Sequence, residues 1–362
     1  MPWNDLYGTS RYLFPGIMYP VVVVQPRLSR ARLNWASNGA SLRRYWLTGP
    51  LSVIPLFRKL CQKQDRKVVC KNRGRLILHV HNPTLVFVAL LVKAICPSVI
   101  VMCNLHNEWS GFRLWQRLSL HILVKLSWVT VCVSRSISET VPTSVRNKLM
   151  KHDKLRAILN GIRSVELERD FPIERLMDNR NADVVVIARM VPQKNVFFVM
   201  RCFALLKGAR NLIWFGDGVL RDELQNYARE LGVDQRIEWR GIEPRARVFE
   251  ALWCSSIYLA CSKWEGIGVA NLEAAALGAQ PFLSDIAPHR EIARPLGLET
   301  FCLGDEAKWV RAMDKFLAED VDIRKQKSFE LIQKARAVFD LEESVKAYMN
   351  VYRELSQHAE SV

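Results

Sequence analysis

Two carboxylates, Glu265 and Glu273, stand eight residues apart on either side of a glycine-containing turn in the segment SKWEGIGVANLE. A helical pattern, Leu272–Leu277, follows this turn. The first N–H groups of a helix lack intrahelical partners and carry partial positive charge, so a helix start favours an anion such as phosphate. An ionised carboxylate only accepts hydrogen bonds, which suits sugar hydroxyls. A phosphate between two sugar rings is the layout of a nucleotide-sugar.

Two cations, Arg189 and Lys194, follow the apolar run Asp183–Ala188, which has the pattern of a buried strand. At the carboxyl end of a strand, two cations can clamp a diphosphate and neutralise the charge that grows on it as a leaving group. Taken alone, this pattern fits a solvated loop with incidental charge equally well. The glutamate motif further along the chain favours the diphosphate clamp.

The elements that must position these residues alternate between apolar, β-branched runs and amphipathic stretches. This alternation indicates parallel sheets covered on both faces. It predicts an α/β fold with two doubly wound, Rossmann-like domains facing a cleft, and ligands at the carboxyl ends of the strands. The predicted strands are Tyr19–Gln25, Arg75–Val80, Ser98–Cys103, Val129–Val133, Asp183–Ala188, Asn211–Phe215, Arg236–Arg240, Ile257–Ala260 and Pro281–Ser284. The predicted helices are Leu51–Gln62, Phe197–Leu206, Val219–Leu231, Leu272–Leu277, Glu306–Ala318 and Leu341–Leu355.

Composition and charge narrow the class of protein. The chain has 362 residues, of which 49% are hydrophobic, enough for a sizeable core and two domains. Residues 1–165 carry a net charge of +20 and the remainder a net charge of −4. A charge this one-sided predicts an anionic partner for the first half: a membrane surface, an anionic lipid or nucleic acid. Nucleic acid is disfavoured, because no recognised binding module is present.

Neither the start of the chain nor its cysteines point outside the cytosol. No signal-peptide pattern is visible at the start, and the most apolar stretch, Pro83–Cys103, is interrupted by Lys93 and Pro97. That stretch predicts a helix and a strand rather than a membrane span. The nine cysteines form no CxxC pair, which predicts buried thiols in a reducing cytosol.

Five segments follow one another in the second half of the chain: RMVPQKN, FGDGVLRDEL, EWRGI, the Glu-x7-Glu of Glu265 and Glu273, and PHREI. In this order they resemble the retaining glycosyltransferases of the group 1 type (glycosyltransferase family four), which have the two-domain GT-B fold. The resemblance covers almost all of the second domain. It implies a metal-independent hexosyltransferase without a cofactor, whose donor is a nucleoside diphosphate sugar, by default a UDP-sugar.

The resemblance also implies roles for individual residues. Arg189 and Lys194 would bind the donor diphosphate, Glu265 the transferred sugar and Glu273 the ribose. Backbone amides of the glycine turn would face the phosphate and the sugar, and the loop after EWRG would line the base. The turn residues are Gly266, Ile267 and Gly268, and the loop residue is Ile242.

In the first domain, the family often has a strand that ends in histidine near the reacting sugar. The segment VMCNLHNE matches it, so His106 is the candidate for a group that hydrogen-bonds the sugar or steadies developing charge. A structural histidine at a strand end is the alternative. His79 and His81 are weaker candidates. The glycine-rich loop that usually opens the family's first domain has no clear copy in the first 40 residues.

A basic helix follows His106. Arg113, Arg117, His121 and Lys125 recur every fourth residue, so they share one face, and apolar residues surround them. Basic residues near tryptophans suit anionic headgroups, which predicts membrane contact through Trp109, Arg113, Arg117 and Lys125. An ordinary domain helix with its charges in water is the alternative.

These observations predict three parts of the chain: residues 1–164, a basic, membrane-facing acceptor domain; residues 165–340, a nucleotide-sugar-binding domain; and residues 341–362, a helix that packs back on the first domain. The predicted protein is a retaining glycosyltransferase of lipopolysaccharide or polysaccharide assembly, peripheral on the cytoplasmic face of the inner membrane. Its partners would be a lipid-linked glycan acceptor and an anionic membrane surface. The alternatives are a phosphorylase or epimerase of the same fold, and a non-catalytic scaffold of glycan assembly.

Overall fold

The computed structural model describes residues 21–26, 42–47, 77–95, 97, 99–176 and 181–361. The chain divides into two compact units. The N-terminal unit comprises Met1–Leu159 and Ser344–Val362, and the C-terminal unit comprises Asn160–Glu343.

The N-terminal unit is built on a six-stranded parallel sheet in the order β2-β1-β3-β4-β5-β6. Its strands are β1 (Val21–Pro26), β2 (Leu42–Leu47), β3 (Ile77–Val80), β4 (Ile100–Leu105), β5 (Val129–Cys132) and β6 (Leu155–Ala157). Its described helices are α1 (Val86–Ile95), α2 (Leu114–Leu126), α3 (Arg135–Thr140) and α4 (Thr143–Lys151). The last helix of the chain completes the core: its Tyr348, Tyr352 and Leu355 pack with Ile77 and Met102.

The C-terminal unit has a second parallel sheet, in the order β12-β11-β10-β7-β8-β9. Its strands are β7 (Asn181–Ile187), β8 (Leu212–Phe215), β9 (Ile237–Gly241), β10 (Ser255–Ala260), β11 (Gln280–Ser284) and β12 (Thr300–Phe301). Its helices are α5 (Ser164–Asp170), α6 (Val196–Leu205), α7 (Arg221–Glu230), α8 (Arg245–Cys254), α9 (Val269–Ala276), α10 (Ala287–Leu296), α11 (Glu306–Leu317), α12 (Val321–Val338) and the start of α13 (Leu341–Ser361). Large buried side chains such as Phe198, Phe203, Trp214 and Trp309 fill its core.

The predicted α/β class with parallel sheets is confirmed, and every predicted strand corresponds to an observed one. The observed strands β2, β6 and β12 were not predicted. All three lie at sheet edges, where a strand is not covered on both sides and needs no continuous apolar run. The predicted helix Leu51–Gln62 lies outside the described residues.

Two local predictions differ from the structure. Helix α9 begins at Val269 and not at Leu272, because the left-handed backbone of Gly268 starts it directly after the turn. The stretch Ile162–Arg180 is polar and charged and has no clear strand pattern, which predicts the linker between the two domains, but it contains helix α5.

Two further observations bear on the predictions from composition. The six cysteines that the structure describes, Cys103, Cys132, Cys202, Cys254, Cys261 and Cys302, are all free thiols. In the described part of the chain, no helix combines the length and apolar character needed to cross a membrane.

Candidate functional site

Apart from Glu273, which lies inside helix α9, the predicted donor-binding residues of the C-terminal unit lie on loops at the carboxyl ends of its strands. Strands β7 and β10 are neighbours, and the strand order reverses between them: β8 and β9 continue on one side, β11 and β12 on the other. Such a switch point is where doubly wound sheets bind ligands, because the loops after the two strands diverge there. The loop after β7 carries Arg189 and Lys194, and the loop after β10 carries Glu265.

These two loops are joined directly. Lys194 Nζ forms an ion pair with Glu265 Oε1, and both side chains are largely buried. Gln193 Nε2 donates to the carbonyl of Trp264 at 2.8 Å, and the Lys263 amide donates to the carbonyl of Gln193 at 2.9 Å. Residues 71 positions apart in sequence therefore form one continuous edge of the site.

Arg189 is placed differently from Lys194. Its side chain is exposed, and its guanidinium donates to Gln193 Oε1 at 3.3 Å. The structure thus puts one predicted diphosphate ligand in a partly buried ion pair and leaves the other at the solvent edge of the same loop.

Glu265 is held ionised by its partners. Its side chain is buried, and burial alone would raise its pKa. The Lys194 ion pair and the Ser262 hydroxyl, which donates to Oε1 at 2.7 Å, outweigh burial and hold the pKa below its ordinary value. The carboxylate is therefore an acceptor at neutral pH, as hydroxyl binding requires.

A chain of buried polar groups continues from Glu265 through Ser262 and Ser284 to His289. Ser284 Oγ donates to the carbonyl of Ser262 at 2.6 Å, and His289 Nδ1 lies 3.0 Å from both oxygens of Ser284. Burial lowers the pKa of His289 to about 4, although the nearby Glu265 raises it. Sequence reasoning matched His289 within PHREI without giving it a role, and it missed Ser262 and Ser284.

The glycine turn leads into α9 as predicted. Gly268 has φ +70°, and a Cβ there would lie 2.5 Å from Asn271 Nδ2. Asn271 in turn accepts a hydrogen bond from the buried Tyr258 hydroxyl at 3.0 Å. Glycine is required at this position for both its backbone angle and its lack of a side chain. The turn residues Gly266 and Ile267 are buried just ahead of the helix start.

Glu273 lies inside α9 and is fully buried. Arg245, the first residue of α8, donates from Nη2 to Glu273 Oε1 at 2.7 Å. The guanidinium also stacks over Phe249, with its central carbon 4.7 Å from the ring centre. Arg245 was missed, because nothing in its local sequence signals a contact 28 residues away. Ile242, predicted to line the base, lies on the loop between β9 and α8, just ahead of Arg245, and is 88% exposed.

In the N-terminal unit, three histidines cluster where β3 and β4 end. His81 Nδ1 lies 3.0 Å from His106 Nε2, and the His79 and His81 ring centres are 4.0 Å apart. The C-terminal helix supports the cluster: Tyr352 OH lies 2.7 Å from His79 Nδ1, and Asn104 Nδ2 donates to Tyr348 OH at 2.7 Å.

Two of these histidines, His79 and His106, are neutral at physiological pH. Burial lowers the pKa of His79 to about 4, against the raising effect of Asn104. Burial and then the neighbouring His79 lower the pKa of His106 to about 3. His106 can therefore donate or accept a hydrogen bond at neutral pH but does not act there as a cation.

The basic helix is confirmed as a helix, but Trp109 does not share its surface. Trp109 starts a separate short turn, Phe112 and Arg113 are extended, and α2 begins only at Leu114. The Trp109 side chain is 9% exposed, so it is part of the core and must be removed from the predicted membrane-contacting set. Arg113 and Lys125 are exposed, and Arg117 is partly buried with its guanidinium bonded to the carbonyls of Ser110 and Phe112.

Comparison with known proteins gives consistent results. Residues 169–337 match the family model of the glycosyl transferases group 1. The chain is 24% identical over 236 residues to an uncharacterized glycosyltransferase of Methanocaldococcus jannaschii, a match that covers 60% of each protein. It is 26% identical over 198 residues to the lipopolysaccharide 1,6-galactosyltransferase of Escherichia coli K12, which covers 53% of this chain and 54% of that protein. The chain thus spans less than two thirds of the length of these relatives.

A solved structure extends the likeness over nearly the whole chain. Anabaena HepE, in complex with UDP and glucose, superposes with a TM-score of 0.64 at 13% identity. The match covers 95% of this chain and 100% of that chain. At this identity, the likeness establishes the fold.

Proposed function

We propose that this chain, whose residues 169–337 match the glycosyl transferases group 1 and which has the GT-B fold, transfers a sugar from a nucleoside diphosphate sugar. The acceptor would be a lipid-linked or membrane-anchored glycan, and the configuration of the sugar would be retained. The observation that carries the proposal is the Lys194–Glu265 pair at the switch point of the second sheet. It places a cation for a diphosphate next to an ionised acceptor for sugar hydroxyls.

The donor site follows from these groups. Lys194 and Arg189 bind the diphosphate, the turn at Gly266 and Gly268 faces it from the start of α9, and Glu265 holds hydroxyls of the transferred sugar. Further along the same unit, Glu273 binds the ribose and Ile242 lines the base. The UDP and glucose bound by Anabaena HepE support a UDP-hexose as the first donor to test.

The reaction that suits these groups is a front-face displacement. The acceptor hydroxyl oxygen bonds to the anomeric carbon as the bond from that carbon to the diphosphate oxygen breaks on the same face. The hydroxyl proton passes to the departing diphosphate. Lys194, Arg189 and the helix start stabilise the charge that develops on the diphosphate, a role that metal ions fill in other enzymes, and we therefore propose a metal-independent transferase. The metal independence is tested by measuring turnover in EDTA, where we expect the rate to be retained.

We propose that His106 hydrogen-bonds the transferred sugar as a neutral group. Its low pKa supports this role over that of a general acid.

The proposed acceptor is a glycan of lipopolysaccharide or polysaccharide assembly, reached by a peripheral enzyme on the cytoplasmic face of the inner membrane. The galactosyltransferase activity in the name of the E. coli relative and the +20 charge of residues 1–165 support this proposal. An anionic bilayer attracts such a surface.

The test is nucleoside diphosphate release from UDP-, GDP- and ADP-sugars, with and without a bacterial lipid extract. We expect release from one donor, stimulated by lipid. Lys194→Ala should lower the turnover number at least about a hundredfold, the scale of losing one charge contact to the transition state. Lys207→Ala is the matched control, because Lys207 is exposed and lies ahead of β8, away from the carboxyl ends of the strands.

Each alternative function has its own outcome in this assay. Dependence on inorganic phosphate would indicate a phosphorylase, and isomerised sugar without acceptor would indicate an epimerase. No release from any donor by folded protein would favour the scaffold. A Lys194→Ala variant as active as wild type would overturn the diphosphate clamp.

A further inference from the structure

Two neighbouring helices of the N-terminal unit expose apolar stripes to solvent. On α1, Phe87, Leu90 and Leu91 are exposed, whereas Val88 and Val92 are buried. On α2, the exposed residues are also apolar: Leu114 (74%), Leu118 (61%), Trp115 (50%) and Ile122 (45%). Each helix therefore has two apolar sides: one packs in the core, and the other is exposed to solvent.

The two stripes belong to one side of the unit. Helix α1 connects β3 to β4, and α2 connects β4 to β5, between strands that are neighbours in the sheet. Successive right-handed crossovers along one direction of a parallel sheet place their helices on the same face. The two helices pack against each other, as this predicts. Their sides away from the sheet form a surface that we call the α1–α2 face, comprising Phe87, Leu90, Leu91, Leu114, Trp115, Leu118 and Ile122.

The charge around the α1–α2 face is mainly positive. Between Pro83 and Ser138, the sequence contains one acidic residue, Glu108, and five Lys and Arg residues. Arg113 and Lys125 are exposed at the two ends of α2, beside its apolar stripe. An exposed apolar surface edged with cations has the composition of an interfacial helix that lies in a membrane surface.

We propose that the α1–α2 face inserts its apolar side chains below the headgroups of an anionic bilayer, with Arg113 and Lys125 bound to those headgroups. The benefit of this membrane contact rests on the proposed function, because it would hold the enzyme next to a lipid-linked acceptor. The inference goes beyond attraction by the basic helix, because it assigns the contact to leucine, phenylalanine and tryptophan side chains on two helices. Trp115, with an apolar ring and a polar N–H, suits the boundary between acyl chains and headgroups.

A bilayer explains the α1–α2 face better than a second copy of the chain does. A two-fold interface brings the same surface of both copies together, so it would set the cations around one face against those around the other. Like charges in an interface repel. Anionic headgroups neutralise the cations while the acyl chains take the apolar side chains.

The experiment is co-sedimentation of the full chain with vesicles of phosphatidylglycerol and phosphatidylethanolamine, and with vesicles of phosphatidylcholine alone. We expect binding to the anionic vesicles, and a partition coefficient lowered at least about tenfold by Leu114→Ser/Leu118→Ser. Arg113→Glu/Lys125→Glu should weaken binding at low salt more than at high salt. No donor or acceptor is present, so the outcome is independent of sugar transfer.

The control is Leu205→Ser/Ile323→Ser, which removes exposed apolar side chains of the C-terminal unit with exposures of 55% and 52%. It should bind like wild type. If Leu114→Ser/Leu118→Ser binds the anionic vesicles as strongly as wild type, the proposed insertion of the apolar face is overturned. Equal binding to phosphatidylcholine would overturn the role of the cations. A dimer that these substitutions dissociate, without vesicle binding, would assign the face to a second copy.

A second measurement does not depend on the stability of the leucine variants. Lipids brominated on their acyl chains quench tryptophan that lies among them. We expect Trp115→Phe to remove most of the quenching, and Trp109→Phe to leave it unchanged, because Trp109 is in the core. Quenching that persists in Trp115→Phe would contradict insertion.

Discussion

At the scale of single residues, the proposed donor site of the C-terminal unit contains two buried carboxylates, each paired with a cation. Glu265 is bonded to Lys194 and Ser262, and Glu273 is bonded to Arg245. An isolated charge in such surroundings is costly, so each cation makes it possible to keep an ionised acceptor away from water. Arg245 is thus a positioning residue for Glu273, and through it for the proposed ribose contact.

We predict that Arg245→Met lowers both stability and donor affinity. The substitution leaves the buried Glu273 carboxylate without this cation, and we expect a loss of about 2 kcal/mol in the free energy of unfolding. This is less than for a fully buried pair, because the Arg245 side chain is 30% exposed. Urea unfolding and the dissociation constant for UDP are the measurements, and Arg247→Met is the control, because Arg247 pairs with Glu250 in an exposed position.

A double variant separates positioning from folding. Arg245→Met/Glu273→Gln removes both charges of the pair, so its stability should recover towards wild type while UDP still binds weakly. Recovery of UDP affinity together with stability would show that Arg245 matters for folding alone.

At the scale of elements, the position of helix α9 is determined by the residues at its start. Gly268 takes a left-handed conformation against Asn271, and Asn271 is bonded to Tyr258 of the adjacent strand β10. The turn that carries Glu265 and the helix that carries Glu273 therefore share one tightly packed corner. The separation of the two carboxylates depends on that corner.

We predict that Gly268→Ala costs more stability than Gly297→Ala. Both glycines have φ near +70°, but a Cβ at Gly297 meets no atom within 4 Å, whereas one at Gly268 meets Asn271. Both variants suffer the backbone cost, and only Gly268→Ala also displaces the hydrogen-bonded Asn271. We expect a difference of at least about 1 kcal/mol in the free energy of unfolding, the net value of one hydrogen bond. Equal losses would mean that the corner adapts without cost.

At the scale of the whole molecule, buried histidines in both units link stability to pH. His79 and His289 are fully buried, and burial lowers the pKa of each to about 4. In the unfolded chain, they titrate near the ordinary value of 6.5. Between those values the unfolded chain holds more protons than the folded protein, so stability falls as the pH falls through this window.

We predict a lower urea midpoint at pH 5 than at pH 7. Between pH 7 and pH 5, each of these two histidines lowers the free energy of unfolding by up to about 2 kcal/mol. One pH unit corresponds to about 1.4 kcal/mol for each extra proton on the unfolded chain. His289→Gln, which does not titrate, should show a smaller difference between the two pH values, whatever its stability at pH 7. An unchanged midpoint in the wild-type protein would contradict the neutral, buried state of these histidines.

The sequence by itself determined the fold class, the resemblance to the group 1 glycosyltransferases and the loops of the proposed donor site. Alternating apolar runs and helical patterns are local, as are motifs such as RMVPQKN and the spacing of Glu265 and Glu273. They can therefore be recognised without knowing which residues are in contact. The charge asymmetry between the two halves is likewise a property of composition alone.

Only the tertiary structure decided which side chains meet and which remain in water. The pair Lys194–Glu265 joins two loops, and the pair Arg245–Glu273 joins two helices. In both cases the two elements meet only once the chain has folded. The same holds for exposure: sequence periodicity placed Trp109 on the basic helix, but a break before Leu114 turns it into the core and leaves Trp115 outside. Periodicity reports that a helix has an apolar side, and packing decides whether that side faces the core or the solvent.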